Sequence, residues 1–131
     1  LPEGISEGAF SLEFNCPRVL DVTGTPGSYD CYNPKTHERI QIKATTIRYD
    51  LTSFGPDSVW DVLYLLDFYR DGKFDGKYDV YKIPNDLIYN HQISKTQTFR
   101  DQQKQGRRPR FGIKQKIIEK HNIKPIKTCK I

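Results

Sequence analysis

The chain has 131 residues, enough for one compact domain and too few for two, so it is expected to form a single domain over 1–131. Its 36% hydrophobic and 12% aromatic content points to a packed core rather than disorder, and no apolar run approaches the length needed to cross a bilayer, so a cytoplasmic protein without membrane partners is expected. The net charge of +5 hides an asymmetry: residues 1–94 hold 9 Lys/Arg against 14 Asp/Glu, whereas residues 95–131 hold 12 against 2, a net of +10 that marks a polyanion-binding segment or a solvated basic surface.

The chain contains no Met and begins at Leu1, which raises the expectation of a preceding N-terminal segment. The first element is a helix over "ISEGAFSLEFN", with Ile5, Ala9 and Leu12 on one face and Ser6 at its cap. "RVLDVTG" is a short β-branched run stopped by Gly24, Pro26 and Gly27. "SYDCY" and "RIQIKATTIRY" are strands joined by "NPKTHE", whose Asn-Pro start is a turn signal. Ser53 to Pro56 is a loop. Asp57 or Ser58 caps a short helix around Val59 to Leu63, and "LYLLDFY", apolar on both faces, is a buried strand. "DGKFDG" turns the chain, "KYDVYKI" alternates as a strand up to Pro84, and "PNDLIYNHQI" forms a short helix. "GIKQKIIEKHN" spaces Ile113, Ile117 and Ile118 as a basic amphipathic helix. This mixed order suits a small α/β or α+β domain with one central mixed sheet flanked by helices.

Cys16, Cys31 and Cys129 are an odd number without C-x-x-C spacing, against both a disulfide framework and a zinc ribbon; Cys31 is expected in the core. His37 belongs to the hairpin turn, and His91 and His121 read as surface residues. Trp60 and Tyr64, four apart on an apolar segment, read as core.

The chemistry centres on the hairpin. Strand side chains alternate faces, so Gln41 and Lys43 point the same way, and Asp30 on the preceding strand meets them if the two strands pair. Asp and Gln supply hard oxygens suited to Mg²⁺, and a Lys beside them stabilises negative charge at a phosphate. The competing reading is an edge hairpin whose Lys blocks edge-to-edge pairing.

Asp30 with Gln41-x-Lys43 resembles the D…(D/E/Q)-x-K signature of the PD-(D/E)XK nuclease superfamily. "LPEGISEGAFS" is similar to the first helix of many restriction endonucleases, and "TSFGPDSVWDVLYLLDF" and "KTQTFRDQQKQGRRPR" look like stretches of small type II restriction endonucleases. The resemblance spans residues 2 to 111 and departs from the pattern in Tyr29, where Pro is usual, and in Gln41, where Asp or Glu is usual. It implies a restriction-endonuclease-like fold and a Mg²⁺ site of Asp30, Gln41 and Glu7, with Lys43 completing the catalytic set. Glu3 and Glu13 are alternatives to Glu7. It further implies site-specific cutting of double-stranded DNA by a homodimer, with a cognate DNA methyltransferase as genetic companion.

In "QTFRDQQKQGRRPRF", Gly106 and Pro109 break a helix and leave Arg107 to Arg110 in a shaped loop. Arg pairs with guanine edges and Gln with adenine edges, so Gln97, Arg100, Gln105, Arg107, Arg108 and Arg110 are candidate DNA contacts, joined by Ser53 in the SFGP loop. Lys114, Lys116, Lys120 and Lys124 are assigned to phosphates or to plain solvation. A non-catalytic DNA-binding module and a repair or junction-resolving nuclease of the same fold are the alternatives.

Overall fold

A computed structural model describes residues 31–48, 50–73 and 75–130. The helix expected over 5–15, the strand expected over 18–24, and Glu3, Glu7, Glu13 and Asp30 lie outside the described residues.

The hairpin forms as its turn chemistry dictates. β1 (Cys31–Asn33) and β2 (Glu38–Thr45) are antiparallel, with Cys31 opposite Ile40 and Asn33 opposite Glu38. Asn33 caps the turn: its Oδ1 accepts from the backbone N–H of Lys35 at 3.0 Å. His37 closes the turn in the left-handed region at φ 61°, its N–H donating to the Asn33 carbonyl at 2.8 Å, and its ring sits 2.9 Å from the Tyr32 hydroxyl.

β2 ends at Thr45, short of the expected strand, because Thr45 Oγ1 donates to the Ile47 carbonyl at 2.7 Å and bends the chain away. The chain then crosses over to β4 (Val62–Asp67), which pairs parallel with β2. β5 (Lys77–Ile83) runs antiparallel to β4, and β7 (Lys127–Lys130) antiparallel to β5, for a mixed five-stranded sheet ordered β1-β2-β4-β5-β7. β4 is buried on both faces, which its unbroken apolar run foretells. A second, two-stranded ribbon pairs β3 (Thr52–Ser53) with β6 (Arg110–Phe111).

Among the described residues helix is sparse: a 3-10 turn (Arg70–Gly72), α1 (Asn85–Tyr89), α2 (Phe99–Lys104) and a six-residue π-helix (Lys114–Glu119). Together with β2–β7 these make a mixed α/β architecture around a central mixed sheet, as expected. One face of the sheet packs Leu63, Leu65, Tyr81 and Ile83 under Phe54, Trp60, Phe99 and the isoleucines of the π-helix. The other gathers Cys31, Ile40, Ile42, Leu66, Tyr78, Val80 and Cys129.

The expected helix around Val59 to Leu63 is absent. Ser58 uses its hydroxyl to accept from the Gly55 N–H at 3.1 Å instead of capping a helix, and β4 begins at Val62. Trp60 and Tyr64 consequently lie in different halves of the core: Trp60 packs in the first, its Nε1 donating to Asn85 Oδ1 at 2.8 Å, and Tyr64 against the second. The expected basic α-helix is a π-helix, with Ile113, Ile117 and Ile118 buried as their spacing requires. Arg107 to Pro109 is irregular, but Arg110 belongs to β6 rather than to a loop.

Candidate active site and DNA-contact surface

β2 sets the site. Ile40 and Ile42 enter the second half of the core, which leaves Gln41, Lys43 and Thr45 on the opposite face, opposite Leu63, Leu65 and Asp67 of β4. Gln41 keeps 5% of its exposure, and its Oε1 is buried with no hydrogen-bond partner among the described residues. A buried amide oxygen left unpaired costs on the order of 1–3 kcal/mol, so its environment calls for a donor or a cation. Lys43 is held in place from the crossover: its Nζ donates to the Ser53 carbonyl at 3.1 Å and stands 4.8 Å over the Phe54 ring. A Gln oxygen and an ammonium on alternate positions of one strand form half of a site for a hard cation and a phosphate. Among the described residues no group of three His, Cys, Asp or Glu converges on a metal position.

The Lys43 support is itself fastened. Phe54 lies wholly buried between Trp60, Phe99 and Phe111, and its N–H donates to the Pro109 carbonyl at 3.0 Å. Gln103 of α2, also buried, donates through Nε2 to the carbonyls of Gly55 at 3.0 Å and Ser58 at 3.3 Å. The SFGP loop is thus bolted to α2, a contact with no local sequence signal.

The candidate DNA contacts fall into groups. Gln97, Gln105 and Arg107 converge: Arg107 Nη1 donates to Gln97 Oε1 at 2.6 Å, and Gln97 Nε2 donates to Gln105 Oε1 at 2.9 Å. Ser53 and Arg110 sit opposite one another in the β3–β6 ribbon, both exposed, which ties the basic segment to the carbonyl that orients Lys43. Arg108 is exposed above Gly55. Arg100 stands apart, its guanidinium 4.5 Å over the Tyr89 ring.

Lys114 belongs elsewhere than phosphate contact or solvation suggests. Its Nζ donates to buried Asp67 Oδ2 and to Tyr81 Oη, both at 2.9 Å, pinning the π-helix to β4 and β5. Burial works against the Lys114 ammonium, but the hydrogen bonds it donates to Tyr81 and Asp67 outweigh it and raise its pKa above the ordinary lysine value. His91 is not simply on the surface either: its ring stacks on Phe111 with centroids 4.4 Å apart. Partners so distant along the chain leave no trace in local sequence.

Comparison with known proteins bears on all of this. A family model described as Bsp6I restriction endonuclease matches residues 1–120. The type II restriction enzyme Bsp6I of Bacillus sp. (strain RFL6) is 40% identical over 132 residues, which cover 95% of this chain and 69% of that enzyme. No solved structure matches. The chain belongs to the Bsp6I restriction endonuclease family and is a type II restriction endonuclease.

Proposed function

We propose that this enzyme hydrolyses phosphodiester bonds of duplex DNA at a short specific site, using Mg²⁺ held by Asp30, Gln41 and Glu7, with Lys43 as the catalytic cation. Type II restriction endonucleases generally need a divalent metal. The observation that carries the choice of site is the buried Gln41 Oε1, without a partner among the described residues, two residues from an anchored Lys43. Asp30 directly precedes Cys31 in the chain, and Cys31 pairs with Ile40 beside Gln41, an adjacency that supports Asp30 as the carboxylate of the set. The ion would polarise the phosphoryl oxygen and acidify water. Lys43 offsets the charge that develops on the phosphate, and Ser53 and Phe54 keep its ammonium from swinging into solvent. Gln97, Gln105, Arg107, Arg108, Arg110 and Ser53 form the face that meets DNA, with Arg100 at its edge.

A domain with one such centre cuts one strand, so we assign the active form to a two-fold homodimer, with a cognate DNA methyltransferase protecting the host. The test is plasmid digestion with and without Mg²⁺, using wild type, Asp30→Ala and Lys43→Ala. Discrete fragments from wild type alone, and only with the cation, are expected. A smear would indicate a nuclease without site preference, and near-normal cutting by either variant would place the site elsewhere.

A further inference from the structure

A cleft of about 480 Å³ opens between β6, the π-helix and the connection from α1 to α2. Arg110, Lys116 and Lys120 line it together with the His91 imidazole and the side chains of Gln92 and Gln115, and no carboxylate stands among its lining residues. Three cations with no carboxylate among the described lining residues repel one another, so the cleft favours an anion. The His91 ring stacks one face on Phe111, which fixes the imidazole against the wall of the cleft. Two flexible lysines and an arginine are point and fork donors of the kind that hold phosphate without reading sequence. Arg110 also continues the ribbon whose Ser53 carbonyl orients Lys43, so an anion seated here lies on the surface leading to the proposed catalytic strand.

The geometry points to this cleft as a phosphodiester subsite for the DNA backbone, distinct from the scissile phosphate, in which His91 takes up a proton as the phosphate seats. The inference rests on the DNA-cleaving function above and adds a place and a proton to it. In the unbound protein, burial lowers the His91 pKa from its ordinary 6.5, and Lys120 and Lys116 lower it further, which favours the neutral ring. The charged groups facing His91 are Lys116 and Lys120 from the π-helix and Arg110 from β6. A phosphate reverses the local field and raises the His91 pKa. Its contribution to affinity is therefore full below the unbound pKa and is lost as pH rises through the bound one.

The experiment is fluorescence anisotropy with a short duplex of arbitrary sequence in Ca²⁺, as salt titrations below and above the ordinary histidine pKa. Lys116→Gln and Lys120→Gln, both exposed and so expected to fold, should each flatten the slope of log affinity against log salt by about 0.9. Wild type should bind more tightly at the lower pH, and His91→Asn should lose that gradient. Wild-type slopes in both lysine variants, or a full pH gradient in folded His91→Asn, would overturn the subsite while cleavage by the parent enzyme left the function intact. A parent enzyme that neither binds nor cuts DNA would overturn the function itself.

Discussion

In the proposed site Gln41 is a neutral residue where the resembled motif has a carboxylate, and its buried Oε1 has no partner among the described residues. Gln41→Glu should retain cleavage, since it keeps an oxygen in the same place and adds charge for the cation. Without metal the same change buries an unpaired carboxylate, so the variant should melt below wild type and recover in Mg²⁺ or Ca²⁺. Differential scanning fluorimetry with and without the cation reads this independently of activity, and an equal melting point in both conditions would show that Gln41 faces no ion. Lys43→Ala should lower kcat by on the order of 10²–10³ with little effect on DNA affinity in Ca²⁺. An equal fall in affinity would make Lys43 a binding residue only. The alternation that puts Gln41 and Lys43 on one face was legible in "RIQIKAT", because strand side chains repeat every two residues. The anchoring of Lys43 on Ser53 was not, since that contact depends on where the crossover lands.

Two short elements owe their positions to side chains at their ends. α2 starts at a capping box: Thr98 Oγ1 accepts from the Asp101 N–H at 3.2 Å, and Asp101 Oδ2 accepts from the Thr98 N–H at 2.9 Å. Thr98→Ala should cost about 1 kcal/mol in urea unfolding. Because α2 carries Gln103, which holds the SFGP loop, the variant should also slow cleavage. The hydrogen bonds from Thr98 lower the Asp101 pKa, and those from Arg39 lower that of Asp61, below their ordinary 3.8. A depressed carboxylate pKa contributes stability above the unfolded value and loses it as pH falls through the folded one, so acid unfolding should steepen below pH 3.8. Arg39→Gln should weaken that dependence. The π-helix is held by Lys114 on Asp67, and Lys114→Met strands a buried carboxylate whose remaining partners are the N–H groups of Tyr69 and Arg70. The expected loss is about 3 kcal/mol, measured by denaturant unfolding. A loss below about 1 kcal/mol would mean that the π-helix is held by its isoleucines alone.

At the scale of the whole molecule, the sheet, the ribbon and the basic segment form one connected arrangement. β4 lies between β2 and β5 and fixes the spacing of the proposed catalytic face, and the β3–β6 ribbon joins that face to the arginines and glutamines of residues 97–110. A chain with one proposed centre should act on a two-fold site as a dimer, and sedimentation of the protein with duplex DNA in Ca²⁺ should give two chains per duplex. One chain bound to its cut site would rule that out. Changing Arg107 or Gln105 should cost about 1–3 kcal/mol on the cut site and far less on random DNA, if these side chains meet base edges. Equal losses on both DNAs would assign them to the backbone.

What the sequence determined by itself is local and periodic. Asn33 and Pro34 set the hairpin turn, the alternation of "KYDVYKI" makes β5 a strand with bounds at Lys77 and Ile83, and the spacing of Ile113, Ile117 and Ile118 names the buried side of the last helix. The charge asymmetry that separates the basic C-terminal third from the rest is likewise visible in residue order alone. Tertiary structure decided the remainder, because it depends on partners far apart in the chain. Trp60 stays out of a helix because Asn85, 25 residues on, takes its indole N–H and the core takes its ring. Lys114 leaves solvent because Asp67, 47 residues earlier, is buried and needs a cation. β3, β6 and β7 are too short for any periodicity to announce them, and they exist because a facing strand supplies the hydrogen bonds that two to four residues cannot make for themselves.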